Sequence, residues 1–276
     1  MQVRYPNFDF TDTKPHWCDN PEHAQIINGG NIIPAYIEPF LIRVLRRAKQ
    51  ELDPVADAEL IADIDLFNKQ EGQHLKMHGA VMTMLRNNGY AAMKPIEEAY
   101  QADYERFLKE KSLPWLLAYC DGFEAFGASA AEKWIDGAIE SDLRNADHQM
   151  VELFRWHLAE EWEHRTVCHR LYRRLGQTGG PIRSYFRRIY GLFYAGKHMH
   201  SYADQLGAYL LSEDRKNMTP AELEASKQRE AAARKSAKAA PKPRDMVRIL
   251  MPWYDPEKTP RPRQLDQVLA TYSPAS

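Results

Sequence analysis

The sequence predicts an all-α protein whose core is a bundle of four long helices, arranged as two antiparallel hairpins joined by a long crossover. Three observations support this prediction. Apolar residues recur at intervals of three and four in long segments, strand-like alternation is nearly absent, and glutamate and histidine interrupt the apolar faces of these segments. The chain has 276 residues, of which 44% are hydrophobic, and can therefore bury a sizeable core.

Proline and glycine residues mark boundaries between the predicted elements. Residues 1–30 are rich in Pro, Asp, Asn and Gly and are predicted to be irregular. Asp53-Pro54 separates the first two core helices, and Gly89 ends the second. Residues 90–113 form the crossover, with a short amphipathic helix from Ile96 to Lys109. The predicted core helices are Ile32 to Leu52, Val55 to Asn88, Pro114 to Asp142 and Asp147 to Leu175.

The rest of the chain adds a C-terminal helix and a tail to the bundle. The additional helix is predicted from Pro181 to Leu211, so the helical domain covers residues 31–211. Residues 212–245 are rich in Ala, Lys, Arg and Glu, and we expect a charged linker or a solvated helix there. Residues 246–276 regain apolar side chains and are rich in proline, which predicts a tail that packs on the bundle.

Composition argues against several classes of partner and location. The chain has 37 basic and 38 acidic residues, so no basic field favours nucleic acid or an anionic membrane. Cys18, Cys120 and Cys168 are far apart and form neither a disulfide framework nor a zinc motif. Because no secretory signal and no membrane-spanning stretch are visible, we expect a cytoplasmic protein. A homodimer is one expectation for its assembly.

The second and fourth core helices each carry a Glu-x-x-His motif on the apolar face. Glu71 and His74 form the first motif, and Glu161 and His164 form the second. A separation of three residues places both side chains on one face of a helix, one turn apart, where they can bind the same ion. Burying such carboxylates without a partner costs several kcal/mol. Two such motifs therefore predict a buried metal centre.

The first and third core helices supply one glutamate each at a similar depth. Glu38 lies on the apolar face of the first helix, and Glu124 lies among small residues of the third. One glutamate from each of two helices and one Glu-x-x-His from each of the other two is the donor set of carboxylate-bridged dinuclear bundles. Asp121, one turn before Glu124, is the alternative donor in the third helix.

Two further histidines lie one turn from the motifs. Because the second and fourth helices should be antiparallel, His78 and His157 lie at the same end of the bundle and are expected to meet. Two roles remain open for them. One of them is a seventh ligand or a proton relay, or both are hydrogen-bonded to the ligating side chains without binding metal.

These segments also resemble a known family. Residues 67–78 (FNKQEGQHLKMH) and 155–165 (RWHLAEEWEHR) resemble signatures of the bacterial "predicted metal-dependent hydrolase" family of the ferritin-like superfamily. Residues 34–43 resemble its first-helix motif, with Ile37 in place of an expected glycine. The resemblance covers about residues 15–210. It implies a ferritin-like bundle, a hydrolase description, and a set of ligands that comprises Glu38, Glu71, His74, Glu124, Glu161 and His164.

The donor set predicts a class of chemistry. Four carboxylates balance two divalent ions, and mixed oxygen and nitrogen donors suit two irons, with manganese or a mixed iron–manganese pair as alternatives. The leading hypothesis is an O2-activating oxidoreductase with an unidentified electron donor. The aromatic stretch from Tyr185 to Tyr209 suggests a small apolar organic substrate. The alternatives are a hydrolase that uses metal-activated water and a non-enzymatic iron-binding protein.

Overall fold

The structure, a computed structural model, describes residues 1–137, 143–237 and 243–272. Every regular element within these residues is a helix, so the all-α prediction is confirmed. The helices are α1 Pro21–Gly30, α2 Ile32–Lys49, α3 Ala58–Leu85, α4 Lys94–Glu110, α5 Leu113–Ile135, α6 His148–His164, α7 Val167–Leu171, α8 Pro181–Asp214, α9 Pro220–Ala237, α10 Pro243–Leu250 and α11 Leu265–Thr271.

Four of these helices form the predicted core. The pair α2 and α3 makes one hairpin, α5 and α6 make the other, and α4 lies in the crossover between them. Helices α3 and α6 are antiparallel, because His78 contacts His157 at one level while Gln70 contacts His164 two turns away. Buried apolar side chains such as Phe67 and Leu117 fill the interior. This packing fixes which helix faces meet at the centre.

Two predictions of local structure are wrong in part. Residues 21–30 form α1 rather than irregular chain, because the Asn20 side chain accepts the His23 amide and Pro21 occupies the first turn. The predicted continuous fourth helix ends at His164 and resumes as α7 at Val167, followed by a π-helical turn. The predicted end of the third helix, Asp142, lies outside the described residues.

Helix α8 crosses the core at very short range. A Cβ atom added at Gly122 of α5 would lie 2.6 Å from the Cα of Leu192, and one added at Gly29 of α1 would lie 2.7 Å from the carbonyl oxygen of Ala203. Glycine at these positions lets the backbones of α1 and α5 approach α8. The predicted additional helix is therefore held directly against the bundle.

The C-terminal segments also contact the core. Within residues 212–245 lies α9, whose Arg229 forms two 2.7 Å hydrogen bonds with the buried Glu22 of α1. Leu265 of α11 packs with Trp162 of α6, and Tyr254 packs beside α8. Among the described helices, none combines the length and the apolarity needed to cross a membrane.

Candidate metal centre

The structure brings all six predicted donor residues together in the middle of the bundle. Each is at most 1% exposed, although each is polar or charged. The regular spacing within α3 and α6 places each motif on the face that points inward. The donors are Glu38 of α2, Glu71 and His74 of α3, Glu124 of α5, and Glu161 and His164 of α6.

Four side chains converge on one side of this centre. His74 Nδ1 lies 4.0 Å from Glu38 Oε1 and 3.9 Å from Glu161 Oε1. His157 Nε2 lies 3.7 Å from the same Glu38 oxygen and 3.0 Å from the same Glu161 oxygen. One donor atom from each of these four residues lies within 4.8 Å of the other three. The group therefore has the composition and spacing of a metal site.

A second group lies beside the first and shares Glu161 with it. His164 Nε2 lies 3.2 Å from Glu71 Oε1, 3.4 Å from Glu124 Oε2 and 3.7 Å from Glu161 Oε1. Donor atoms of Glu71, Glu161 and His164 lie within 4.8 Å of one another. Because Glu161 belongs to both groups, the arrangement is suited to two neighbouring ions.

Most donor atoms of this centre are buried and make no hydrogen bond within the described residues, whereas His157 Nε2 and Glu161 Oε1 bond each other at 3.0 Å. Leaving such groups without a partner costs several kcal/mol, and four carboxylates at one place also repel each other. Divalent cations would relieve both costs, so the side chains present fit bound metal. The unsatisfied atoms are both carboxylate oxygens of Glu38, Glu71 and Glu124, Oε2 of Glu161, Nδ1 of His74 and Nε2 of His164.

The pKa values of the clustered side chains reflect the same cost of burial and repulsion. Burial, followed by the negative charges of its neighbours, raises the pKa of Glu38 well above the usual value of a glutamate. Burial and the charge of Glu161 raise the pKa of Glu124 to about 8. Burial opposes the charged form of His74, yet hydrogen bonds and neighbouring carboxylates raise its pKa to about 9. Without metal, protons therefore neutralise part of the cluster.

Each of the two motif histidines is oriented by a hydrogen bond from the ring nitrogen that points away from the cluster. Glu160 Oε2 can only accept, so the 2.9 Å contact with His74 Nε2 places a proton on that nitrogen and leaves Nδ1 facing the centre. Gln70 Nε2 donates to Glu163 and to the carbonyl of residue 2, so its Oε1 accepts from His164 Nδ1 at 3.1 Å. His164 therefore presents Nε2 to the centre.

The structure places the two additional histidines differently. Asn31 Nδ2 donates to the carbonyl of Ile27, so its Oδ1 accepts from His78 Nδ1 at 2.7 Å. His78 Nε2 then accepts from His157 Nδ1 at 2.6 Å, which leaves His157 Nε2 facing Glu38. His157 thus lies in the donor cluster, whereas His78 lies behind it.

Helix α5 carries a glycine that lies against the cluster and an aspartate that lies outside it. A Cβ atom added at Gly127 would lie 2.4 Å from Glu161 Oε2, so only glycine leaves space for this shared carboxylate. Asp121, the alternative donor in α5, has both oxygens engaged by His169 Nδ1 at 2.8 Å and Arg188 Nε at 2.9 Å. Asp121 therefore belongs to a separate ion-pair network.

Three residues that support the histidines were not predicted from the sequence. Asn31, Gln70 and Arg4 are buried, and each contacts a histidine or the carboxylate behind it. Gln70 precedes Glu71 directly, so its position next to a motif was a usable signal. Arg4 gave no such signal, because the irregular segment has no periodicity that predicts its contacts.

Fold and site together define an all-helical protein with a buried carboxylate and histidine cluster that is suited to metal. The chain belongs to the family described as predicted metal-dependent hydrolase, whose model matches residues 2–259. The resemblance noted from the motifs is thereby confirmed at the level of this family. Comparison with curated proteins and with solved structures gives no match.

Proposed function

We propose that this chain is a hydrolase that uses two divalent metal ions bound at the buried cluster. The observation that supports this most strongly is the convergence of unsatisfied donor atoms into two groups that share Glu161. The family description favours hydrolysis over O2 activation, which is the leading hypothesis from the sequence alone. One ion would be held by Glu38, His74, His157 and Glu161, and the other by Glu71, Glu124, Glu161 and His164.

The donor chemistry limits the choice of metal. The cluster offers carboxylate oxygens and imidazole nitrogens, and among the described residues neither donor group includes a cysteine. Such donors suit iron, manganese or zinc, and among these we propose iron or manganese because oxygen donors predominate. The chemistry that bound ions supply is activation of water as a nucleophile and polarisation of the bond to be cleaved.

The residues of the chain hold this machinery in place. His74, His157 and His164 each present one nitrogen inward, because an acceptor behind each ring fixes the opposite N–H. Burial raises the pKa values of Glu38 and Glu124, which favours their neutral form when no metal is bound. The substrate class we propose is a small organic molecule with a hydrolysable ester, amide or phosphoester bond.

The test begins with metal content. The purified chain is analysed for bound metals, stripped with a chelator, and reloaded separately with Mn²⁺, Zn²⁺ and, under nitrogen, Fe²⁺. Each form is then assayed against chromogenic esters, amides and phosphoesters. We expect about two ions per chain and hydrolysis that disappears in a Glu161→Gln variant, since Glu161 contributes to both groups. The absence of bound metal from all reloaded forms would refute the proposal.

The same preparation distinguishes the competing functions. If the Fe²⁺ form consumes O2 and no form hydrolyses any substrate, the oxidoreductase hypothesis replaces the hydrolase. If iron binds but supports neither reaction, a non-enzymatic iron-binding protein is favoured. A Gly79→Ala variant is a suitable control, because its added Cβ meets no atom within 4 Å and lies on the same helix as Glu71 and His74.

A further inference from the structure

Residues 2–4 lie against the outer side of the cluster, and Arg4 is 3% exposed there. Its Nη1 donates to Glu160 Oε1 at 3.0 Å and to Glu163 Oε2 at 3.1 Å. The same guanidinium donates to the carbonyl of Gln2 at 2.8 Å and, through Nε, to that of Leu269 at 3.0 Å. One buried arginine thus joins two acidic residues of α6 and both end segments of the chain.

Each acidic partner of Arg4 leads to a motif histidine. Glu160 bonds Arg4 through Oε1 and accepts His74 Nε2 through Oε2 at 2.9 Å. Glu163 accepts Gln70 Nε2 at 2.7 Å, and Gln70 Oε1 accepts His164 Nδ1 at 3.1 Å. Glu160 alone therefore connects Arg4 to His74. Glu163 and Gln70 together connect Arg4 to His164.

The backbone of residue 2 reinforces the second connection. The Gln2 amide donates to Glu163 Oε2 at 3.1 Å, and the Gln2 carbonyl accepts Gln70 Nε2 at 3.0 Å. This pairing fixes which end of the Gln70 amide faces His164. The tautomer of His164 consequently depends on the N-terminal segment.

We propose that Arg4 is a positioning residue of the metal centre, which holds His74 and His164 in the orientation that presents one free nitrogen of each to metal. The inference rests on the proposed metal site. Glu160 and Glu163 lie one turn apart on α6 and would repel each other without a shared cation. With Arg4 removed, both acidic side chains lose the group that fixes their rotamers, and the imidazoles lose a fixed acceptor.

Arginine suits this position better than lysine. Its planar guanidinium carries five N–H donors in a fixed geometry, and here they reach two carboxylates and two carbonyls at once. A lysine keeps the charge but offers three donors from one nitrogen. Lysine at position 4 should therefore preserve the charge balance while losing part of the orientation.

The experiment titrates the metal-free full-length chain with Co²⁺, whose visible spectrum reports the ligands around it. In Arg4→Gln we expect affinity for Co²⁺ to fall by about 10–100-fold, as is typical when a partner behind a ligating histidine is lost, and the visible bands to shift. Arg4→Lys should show a smaller loss. The matched control is Arg229→Gln, which breaks an arginine pair with the buried Glu22 and should leave the spectrum unchanged.

The outcomes separate the two proposals. If the parent chain binds no Co²⁺, the proposed metal site fails and the role of Arg4 fails with it. If the parent binds Co²⁺ and Arg4→Gln matches its affinity within twofold with the same spectrum, only the role of Arg4 is overturned. Should Arg4→Gln not fold, Arg4→Lys decides, because parental affinity and spectrum in that variant would equally overturn the role.

Discussion

Replacing Gly127 with alanine should abolish tight metal binding while leaving the fold intact. The added Cβ would lie 2.4 Å from Glu161 Oε2 and 3.2 Å from Glu161 Cδ, whereas ordinary contact begins near 3.4 Å. The carboxylate must therefore move by about 1 Å. Donor atoms in metal sites lie within about 0.2 Å of characteristic distances from the ion. A displacement of this size removes Glu161 from the position it shares between both groups.

The effect on stability should be small, because the clash involves the end of a flexible side chain and no backbone atom. Alanine also favours a helix over glycine by about 0.5–1 kcal/mol, which offsets part of the cost of moving Glu161. We expect the unfolding free energy of the metal-free chain to change by less than about 1 kcal/mol. Metal affinity should fall by about 100-fold or more, equivalent to about 2.7 kcal/mol.

The assay pairs urea denaturation of the metal-free chain with calorimetric titration of Mn²⁺ or Zn²⁺. Gly79→Ala is the matched control, because it makes the same substitution within a core helix but its Cβ meets no atom within 4 Å. Unchanged metal affinity in Gly127→Ala would refute the role assigned to Glu161. A large loss of stability would show that the clash moves the helices instead.

Three further predictions concern the same molecule. Burial raises the pKa of Glu124 from an ordinary 4.5 to about 8 in the folded metal-free chain. The folded state therefore binds the extra proton between these values, and the unfolding free energy should fall as pH rises from 4.5 to 8. Denaturation with chelator at pH 5 and pH 8 tests this, and greater stability at pH 8 would contradict it. His157→Ala should weaken one ion-binding step by more than about 100-fold, whereas His78→Ala should weaken it by about 10–100-fold. Calorimetric titration measures both losses. Equal losses would argue against placing only His157 among the donors. Gly29→Ala should cost about 1–3 kcal/mol in urea denaturation because its Cβ meets α8 backbone, whereas Gly30→Ala should change little.

The core of the site was predictable because helical periodicity fixes side-chain direction. Steps of three and four place Glu71 and His74 on one face, and a cluster of buried carboxylates favours a bound cation. The same logic predicted that His78 and His157 would meet, which the structure shows at 2.6 Å. Which ring faces the donors was not predictable, because it depends on the partner behind each ring. Asn31 settles this, and its contact crosses 47 positions of sequence.

Other features could not be derived from local pattern. Helix α1 lacks a clear apolar face, since Glu22, Gln25 and Asn28 are buried in it, although Asn20-Pro21 is a recognisable start signal. The contact between Arg4 and Glu160 joins residues 156 positions apart, one of them in an irregular segment. Periodicity carries no information about such pairs, so only the folded chain reveals them.

The contacts of Arg4 also have a consequence for the order in which the protein assembles. They join residues separated by 156, 159 and 265 positions, the last through the carbonyl of Leu269. Contacts of such long range close the largest loops and carry a high entropic cost early in folding. The support behind both motif histidines is complete only once residues 2–4, α6 and α11 have come together. Tight metal capture should therefore follow the packing of α11 against the bundle.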